Sequence, residues 1–311
     1  MLSKLFRRTV KQNEEHPPLA DGVRQSIVSY LGIKSLPIMP KVAQQAFQLA
    51  TSPNAEPEDY IAVVERDEGL SARVLKIANS VYYSRGSDSK TITDAVTVIG
   101  VSELQCLMNA TALSNFFPSR HPLRALFWAH DIAVAITART LANALRPNQA
   151  DMAFLGGLMH DIGKLFMLQQ HTTNYEKVVA RGFEEGLQSI DGETFAYPFD
   201  HTQVGHLIAE RWHFTPELTA VISKHHKSWS EIPKDSVLAL VKIANIIAHT
   251  LALGAGREAN QARRIYETML PEAWEHLEVS EPLRSELLDK AASAFDQERS
   301  IYESWSNGCY T

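Results

Sequence analysis

Apolar residues recur along nearly the whole chain at three- and four-residue spacing, and no stretch keeps the alternation that marks a half-buried strand. The pattern predicts an all-α protein. After a polar opening, a first helix is expected around Asp21 to Leu31, and the two prolines of Leu36-Pro37-Ile38-Met39-Pro40 then force an extended turn. A new unit starts there. Val42, Ala43, Ala46, Phe47 and Ala50 form one stripe, punctuated by Pro53; Pro57 suits a first helical position ahead of Tyr60, Ile61 and Val64, and Gly69 is expected to end that piece. Leu70, Val74, Leu75, Ile77 and Ala78 mark the next helix. Ile92, Ala95, Val96 and Ile99 mark another, stopped by Gly100, and Ser102 with Gln105 has capping-box spacing before Leu104, Leu107, Met108 and Ala112. The segment Pro118 to Pro122 is a clear break, from which Pro122 opens a long Ala-rich helix through Trp128, His130, Ile132, Ile136 and Leu141.

The stretch from Phe154 to Phe166 is the most distinctive. Phe154, Leu155, Leu158, Met159, Ile162, Leu165 and Phe166 read as one buried helix, with Asp151 as its N-cap and His160-Asp161 in or beside the stripe. Burying an imidazole and a carboxylate is costly unless each finds a partner or a metal. A polar helix follows around Tyr175 to Gly186. Asp200 caps one with Val204, Leu207, Ile208 and Trp212, and Thr215-Pro216 starts another that ends near His225-His226. The apolar run from Val237 to Gly254 is broken by Lys242, Asn245 and His249, which favours a core helix over a membrane span. Beyond Arg257 the chain is amphipathic, with Trp274, Leu277, Leu283, Leu287, Leu288 and Phe295 as docking residues.

Charge narrows the function. At 311 residues with a net charge of −6, the chain does not suit coating nucleic acid, which needs a local excess of Lys and Arg. Asp94 to Met108 has the outline of a helix-turn-helix, yet Ser102 to Asn109 offers no basic residue to meet phosphate. Cys106 and Cys309 stand far apart without a CxxC neighbour, so neither a disulfide scaffold nor a thiolate zinc site is expected, and a reducing cytoplasm fits. Lys4, Arg7, Arg8 and Lys11 lie in an opening segment without a signal-length apolar core, read as a solvated tail.

Several motifs in order carry a resemblance: Ser35-Leu36-Pro37 with Met39-Pro40, the run Asp67 to Ser80, Thr91-Ile92-Thr93-Asp94-Ala95-Val96 leading to Ile99-Gly100, Trp128-Ala129-His130, His160-Asp161-Ile162-Gly163-Lys164, His201 to Gly205, and His225-His226. Over roughly residues 30 to 295 the chain resembles HDOD proteins, a branch of the HD superfamily used in bacterial signalling. The resemblance implies an N-terminal helical bundle packed on a core shaped like the HD phosphohydrolases. It divides the chain into a polar and basic segment (1–31), the N-terminal helical part (32–118), the HD-like core (119–255) and C-terminal amphipathic helices (256–311). It also implies His130, His160, Asp161, His201, His225 and His226 as candidate ligands for a divalent metal such as iron, manganese or zinc. Lys164 is a possible phosphate contact. His121, His171, His206, His213, His249 and His276 match no ligand position and are read as surface or packing residues.

Two departures from the pattern bear on activity. Asn245 stands where active HD enzymes carry a further Asp, so the charge that helps hold a metal-bound hydroxide is missing. After His225-His226 the chain reads Lys227-Ser228-Trp229-Ser230, without the GYP segment of the cyclic di-GMP hydrolases. The expectation is therefore a regulatory module that binds a signalling protein or a small regulatory ligand, with a metal-dependent phosphohydrolase as the alternative.

Overall fold

The computed structural model describes residues 17–33, 38–39, 41–52, 54–80, 83, 88–117, 121–254 and 260–303. The basic opening segment, Ser35 to Pro37, Pro40, Pro53, Pro118 and Cys309 lie outside them, as does the side chain of Val42. Among the described residues there is no strand, and the fold is all-α. The helices are α1 (Asp21–Tyr30), α2 (Lys41–Ala50), α3 (Pro57–Glu65), α4 (Glu68–Ala78), α5 (Ile92–Ile99), α6 (Val101–Phe116), α7 (Pro122–Leu145), α8 (Ala150–Met159), α9 (Ile162–Glu185), α10 (Ser189–Ala196), α11 (His201–Trp212), α12 (Pro216–Lys224), α13 (Val237–Thr250), α14 (Asn260–His276) and α15 (Glu281–Glu303). No single helix is long and apolar enough to cross a membrane.

Local chemistry accounts for most boundaries. Pro57, Pro122 and Pro216 open α3, α7 and α12, where a missing N–H costs nothing. Asp200 accepts from the amides of Thr202 and Gln203 and completes a capping box with Gln203 at the start of α11. Gly100, at φ 86°, ends α5 in a conformation that a side chain would resist.

Four expectations are corrected. Gly69 does not end a helix; the break falls at Arg66 and Asp67, because Asp67 caps α4 by accepting from the Leu70 amide. Ser102 and Gln105 form no capping box, since Gly100 is the N-cap of α6 and their side chains reach elsewhere, Ser102 to Asp151 and Gln105 to the carbonyl of Ala50. Asp151 is not an N-cap either; it sits in the first turn of α8 after Gln149, where it accepts the Ser102 hydroxyl. Finally, the motif helix is not continuous: it breaks at His160-Asp161.

The centre of the molecule is built from α7, α8 and α13, with α9, α11 and α12 beside them and α15 laid along α7. Gly157 permits the tight crossing of α7 and α8, since a Cβ there would lie 2.6 Å from the Ala135 Cα. The helices α5 and α6 meet at a bend of 111°. Leu104 to Asn109 are buried, so α6 packs along most of that stretch into the core. The predicted docking residues Trp274, Leu277, Leu287 and Phe295 are buried, with Leu283 and Leu288 packed against the same core.

A half-buried ionic knot fastens α15. Arg139 of α7 donates to Glu103 of α6 at 2.9 Å and to Glu298 of α15, while its guanidinium lies 4.9 Å from the Phe154 ring centroid. Tyr302 donates its hydroxyl to the second oxygen of Glu103 at 2.8 Å. Sequentially remote segments are thereby tied at one point.

Candidate metal centre

The break between α8 and α9 makes the site. His160 and Asp161 occupy the turn, and Asp161 stands at the N-cap of α9 without capping it. An aspartate there ordinarily accepts from its own helix. This carboxylate instead faces a group of imidazoles delivered by α7, α11 and the end of α12. Gly163 lets α9 and α11 cross closely, because a Cβ at that position would fall 1.9 Å from the His201 carbonyl oxygen.

All six predicted residues converge. Asp161, His201, His225 and His226 form one group and His130, His160 and Asp161 a second; in each, the potential ligand atoms lie within 4.8 Å of one another. Asp161 is common to both. Its Oδ1 is 3.3 Å from His201 Nε2 and 3.5 Å from His225 Nε2, and its Oδ2 is 3.3 Å from His160 Nε2 and 3.9 Å from His130 Nε2. Lys164 turns inward, its Nζ 2.6 Å from Oδ2. Asn245 Oδ1 lies 3.1 Å from His130 Nε2.

The protonation pattern follows from the partners. His160 Nδ1 donates to the Gly157 carbonyl at 2.7 Å, His225 Nδ1 to Val221 at 3.0 Å, and His201 Nδ1 to the Glu193 carboxylate at 2.6 Å. A neutral imidazole that donates from Nδ1 presents a lone pair at Nε2. Three such Nε2 atoms therefore face Asp161, and His201 Nε2 lies within hydrogen-bond distance of His225 Nε2, at 3.2 Å. Burial pushes His225 down to about 4, and burial first, with the neighbouring histidines behind it, takes His130 and His226 well below the usual imidazole range. Burial also opposes ionisation of Asp161, but His160 and the Lys164 ammonium outweigh it and hold this carboxyl well below the usual carboxylate range.

These observations test whether a cation fits. Asp161 Oδ1, His160 Nε2 and His226 Nε2 are buried and have no hydrogen-bond partner. Buried polar atoms are nearly always paired, and an orphan calls for an ion or another explanation. Imidazole nitrogens with a carboxylate oxygen are the donor set of iron, manganese and zinc. The residues fit a divalent cation.

Three neighbours escaped the sequence reading. Glu193 on α10 accepts from His201 Nδ1, from the His201 amide at 2.7 Å and from the Tyr175 hydroxyl at 2.5 Å, and so fixes the His201 ring. Nothing local betrays it, because α10 has no apolar stripe to mark its buried face. His249 was read as a surface or packing residue, and it packs against the site: its ring lies 4.4 Å from His130 and stacks at 3.9 Å on Tyr266 of α14. Asp131 is fully buried with both oxygens unpartnered, and burial, with Asp161 adding to it, pushes its carboxyl well up.

An all-helical core thus carries a His/Asp cluster at a broken helix. A family model for the HDOD domain matches residues 36–228, and the chain belongs to the HDOD domain family. Among solved structures, it is similar to a proposed signal transduction protein of Marinobacter aquaeolei VT8, 24% identical with a TM-score of 0.75, covering 92% of this chain and 66% of that one. It is also similar to a proposed phosphohydrolase of Shewanella amazonensis SB2B, 22% identical with a TM-score of 0.66, covering 93% and 98%. An uncharacterised protein of Treponema pallidum is 22% identical over 196 residues, 62% of this chain; the chain spans 38% of that relative's length.

Proposed function

We propose that this chain is an HDOD signalling module organised by a buried divalent cation, and that it acts by binding a signalling protein or a small regulatory ligand rather than by turnover. The observation that carries the cation is the pair of orphaned atoms Asp161 Oδ1 and His226 Nε2, beside imidazoles of His201 and His225 whose other nitrogens are committed as donors. The observation that favours binding is closure. Side-chain exposure is 2% at Asp161, zero at His160, His201 and His225, and 13% at His130. Tyr266 of α14, itself buried, stacks on His249 beside His130, the most exposed of these five. A phosphoester needs an open coordination position and room beside it.

When bound, iron, manganese or zinc in such a site would act as a Lewis acid toward any oxygen that reached it. The chain's own residues would hold it: Asp161 supplies charge, the histidines supply neutral donors, and Glu193 keeps His201 oriented. Lys164 pairs with Asp161, so its ammonium is engaged within the cluster. A cytoplasmic placement accords with the free, buried thiol of Cys106.

Metal analysis of protein purified without chelator or nickel is expected to find a divalent cation that a His160→Ala/Asp161→Ala double mutant lacks. Equal, substoichiometric metal in both would sink the metal centre. Separately, bis(p-nitrophenyl) phosphate should stay intact with manganese or iron(II) present. Metal-dependent hydrolysis that vanishes in the double mutant would replace binding with a phosphohydrolase activity.

A further inference from the structure

The two oxygens of Asp161 face different surroundings. Oδ2 meets a cation that the chain itself carries, the Lys164 ammonium at 2.6 Å. On that side His130 Nε2 lies 3.1 Å from Asn245 Oδ1, an amide oxygen that can only accept, so the proton of His130 belongs on Nε2 and no lone pair is left there to ligate. Oδ1 has no hydrogen-bond partner, and it faces His201 Nε2 and His225 Nε2, each freed by an Nδ1 donor bond. His226 Nε2, also unpartnered, belongs to the same group, its ring 4.4 Å from His225 and 5.0 Å from His201.

Resting on the metal reading above, we propose that the centre takes a single divalent cation, on the Oδ1 face of Asp161 through His201, His225 and His226, and that Lys164 with Asn245 closes the Oδ2 face to a second one. A divalent ion at Oδ2 would have to sit against the ammonium, and the two like charges repel strongly in a dry interior. Supplying a negative group there, and removing the ammonium, reverses both obstacles. The His130/His160 half of the cluster is thus a charge-neutral remnant served by a lysine, and the three-histidine half is the working ligand set.

The test is metal stoichiometry with cobalt(II) as the probe, read by elemental analysis and by the visible absorption of the bound ion. Wild type is expected to hold one cobalt per chain. His226→Ala should lose at least nine-tenths of it, while His130→Ala should keep it with its absorption unchanged. Lys164→Met/Asn245→Asp should bind two. Helical circular dichroism checks each fold, and His226→Gln replaces His226→Ala if the latter does not fold. Two cobalt ions in wild type, or loss in His130→Ala with retention in His226→Ala, overturns the single-site assignment but keeps the metal centre. No cobalt in wild type overturns both.

Discussion

Around Arg139, a half-buried cation meets two carboxylates, an aromatic face and, through Glu103, a tyrosine hydroxyl. Around Asp161, a buried anion has one oxygen paired with an ammonium and one without a hydrogen-bond partner, facing imidazole nitrogens. Both clusters join helices distant in sequence, and both exclude most water. The first is complete with the chain's own groups, so it is scaffold. The second has its own cation on the Oδ2 side only, so on the Oδ1 side the protein must take one from outside or leave a buried carboxylate oxygen unpaired. Charge alone does not separate the two; the accounting of donors and acceptors does.

The largest effect is expected from breaking the complete cluster. Arg139→Met leaves Glu103 and Glu298 facing each other without their cation, which costs about 3 kcal/mol in denaturant unfolding, and it should leave metal content unchanged. A drop in metal with little loss of stability would erase the distinction between the clusters. Next comes the incomplete cluster. Stripping metal with a chelator should lower stability by about 2.7 kcal/mol relative to protein holding free metal at a hundred times its dissociation constant. The same treatment of Asp161→Ala should change nothing.

A smaller effect is expected at the edge of the site. Glu193→Gln weakens the acceptor that orients His201, so metal affinity should fall about ten- to a hundredfold, as measured by competition with a chromogenic chelator. Unaltered affinity would show that Glu193 serves only Tyr175. The smallest effect concerns Lys242, whose Nζ bonds the carbonyls of His225 and Lys227 below the site. Burial pushes this lysine down to about 8 from its ordinary 10.5. Because the folded value is the lower one, the unfolded chain binds more protons between these values, and stability should rise with pH across that window. Lys242→Met should flatten the rise when unfolding is followed from pH 8 to 10.

Sequence carried the fold well wherever the signal was short-ranged. Pro57, Pro122, Asp200, Thr215 and Gly100 act on their own turn, and each marks a boundary that the structure has. The break at His160-Asp161 was invisible because residues on both sides are buried all round, so the apolar spacing runs through the turn without a change of phase. Matched motifs brought six ligand candidates to one place, five of them held at helix ends and His130 within α7. Glu193 and Tyr266 were not legible. Their role depends on how α10 and α14 dock, and nothing within either helix records that contact.

The glycine of the His160 to Lys164 motif has a wider consequence. Gly163 abuts the carbonyl of His201, so two main chains, and not two side chains, set how far Asp161 stands from His201. Side chains can change rotamer to accommodate a new occupant, but a helix crossing of this kind has little give. The gauge of the centre is therefore built into the crossing before any ligand arrives. Gly163→Ala would alter it without touching a single donor atom.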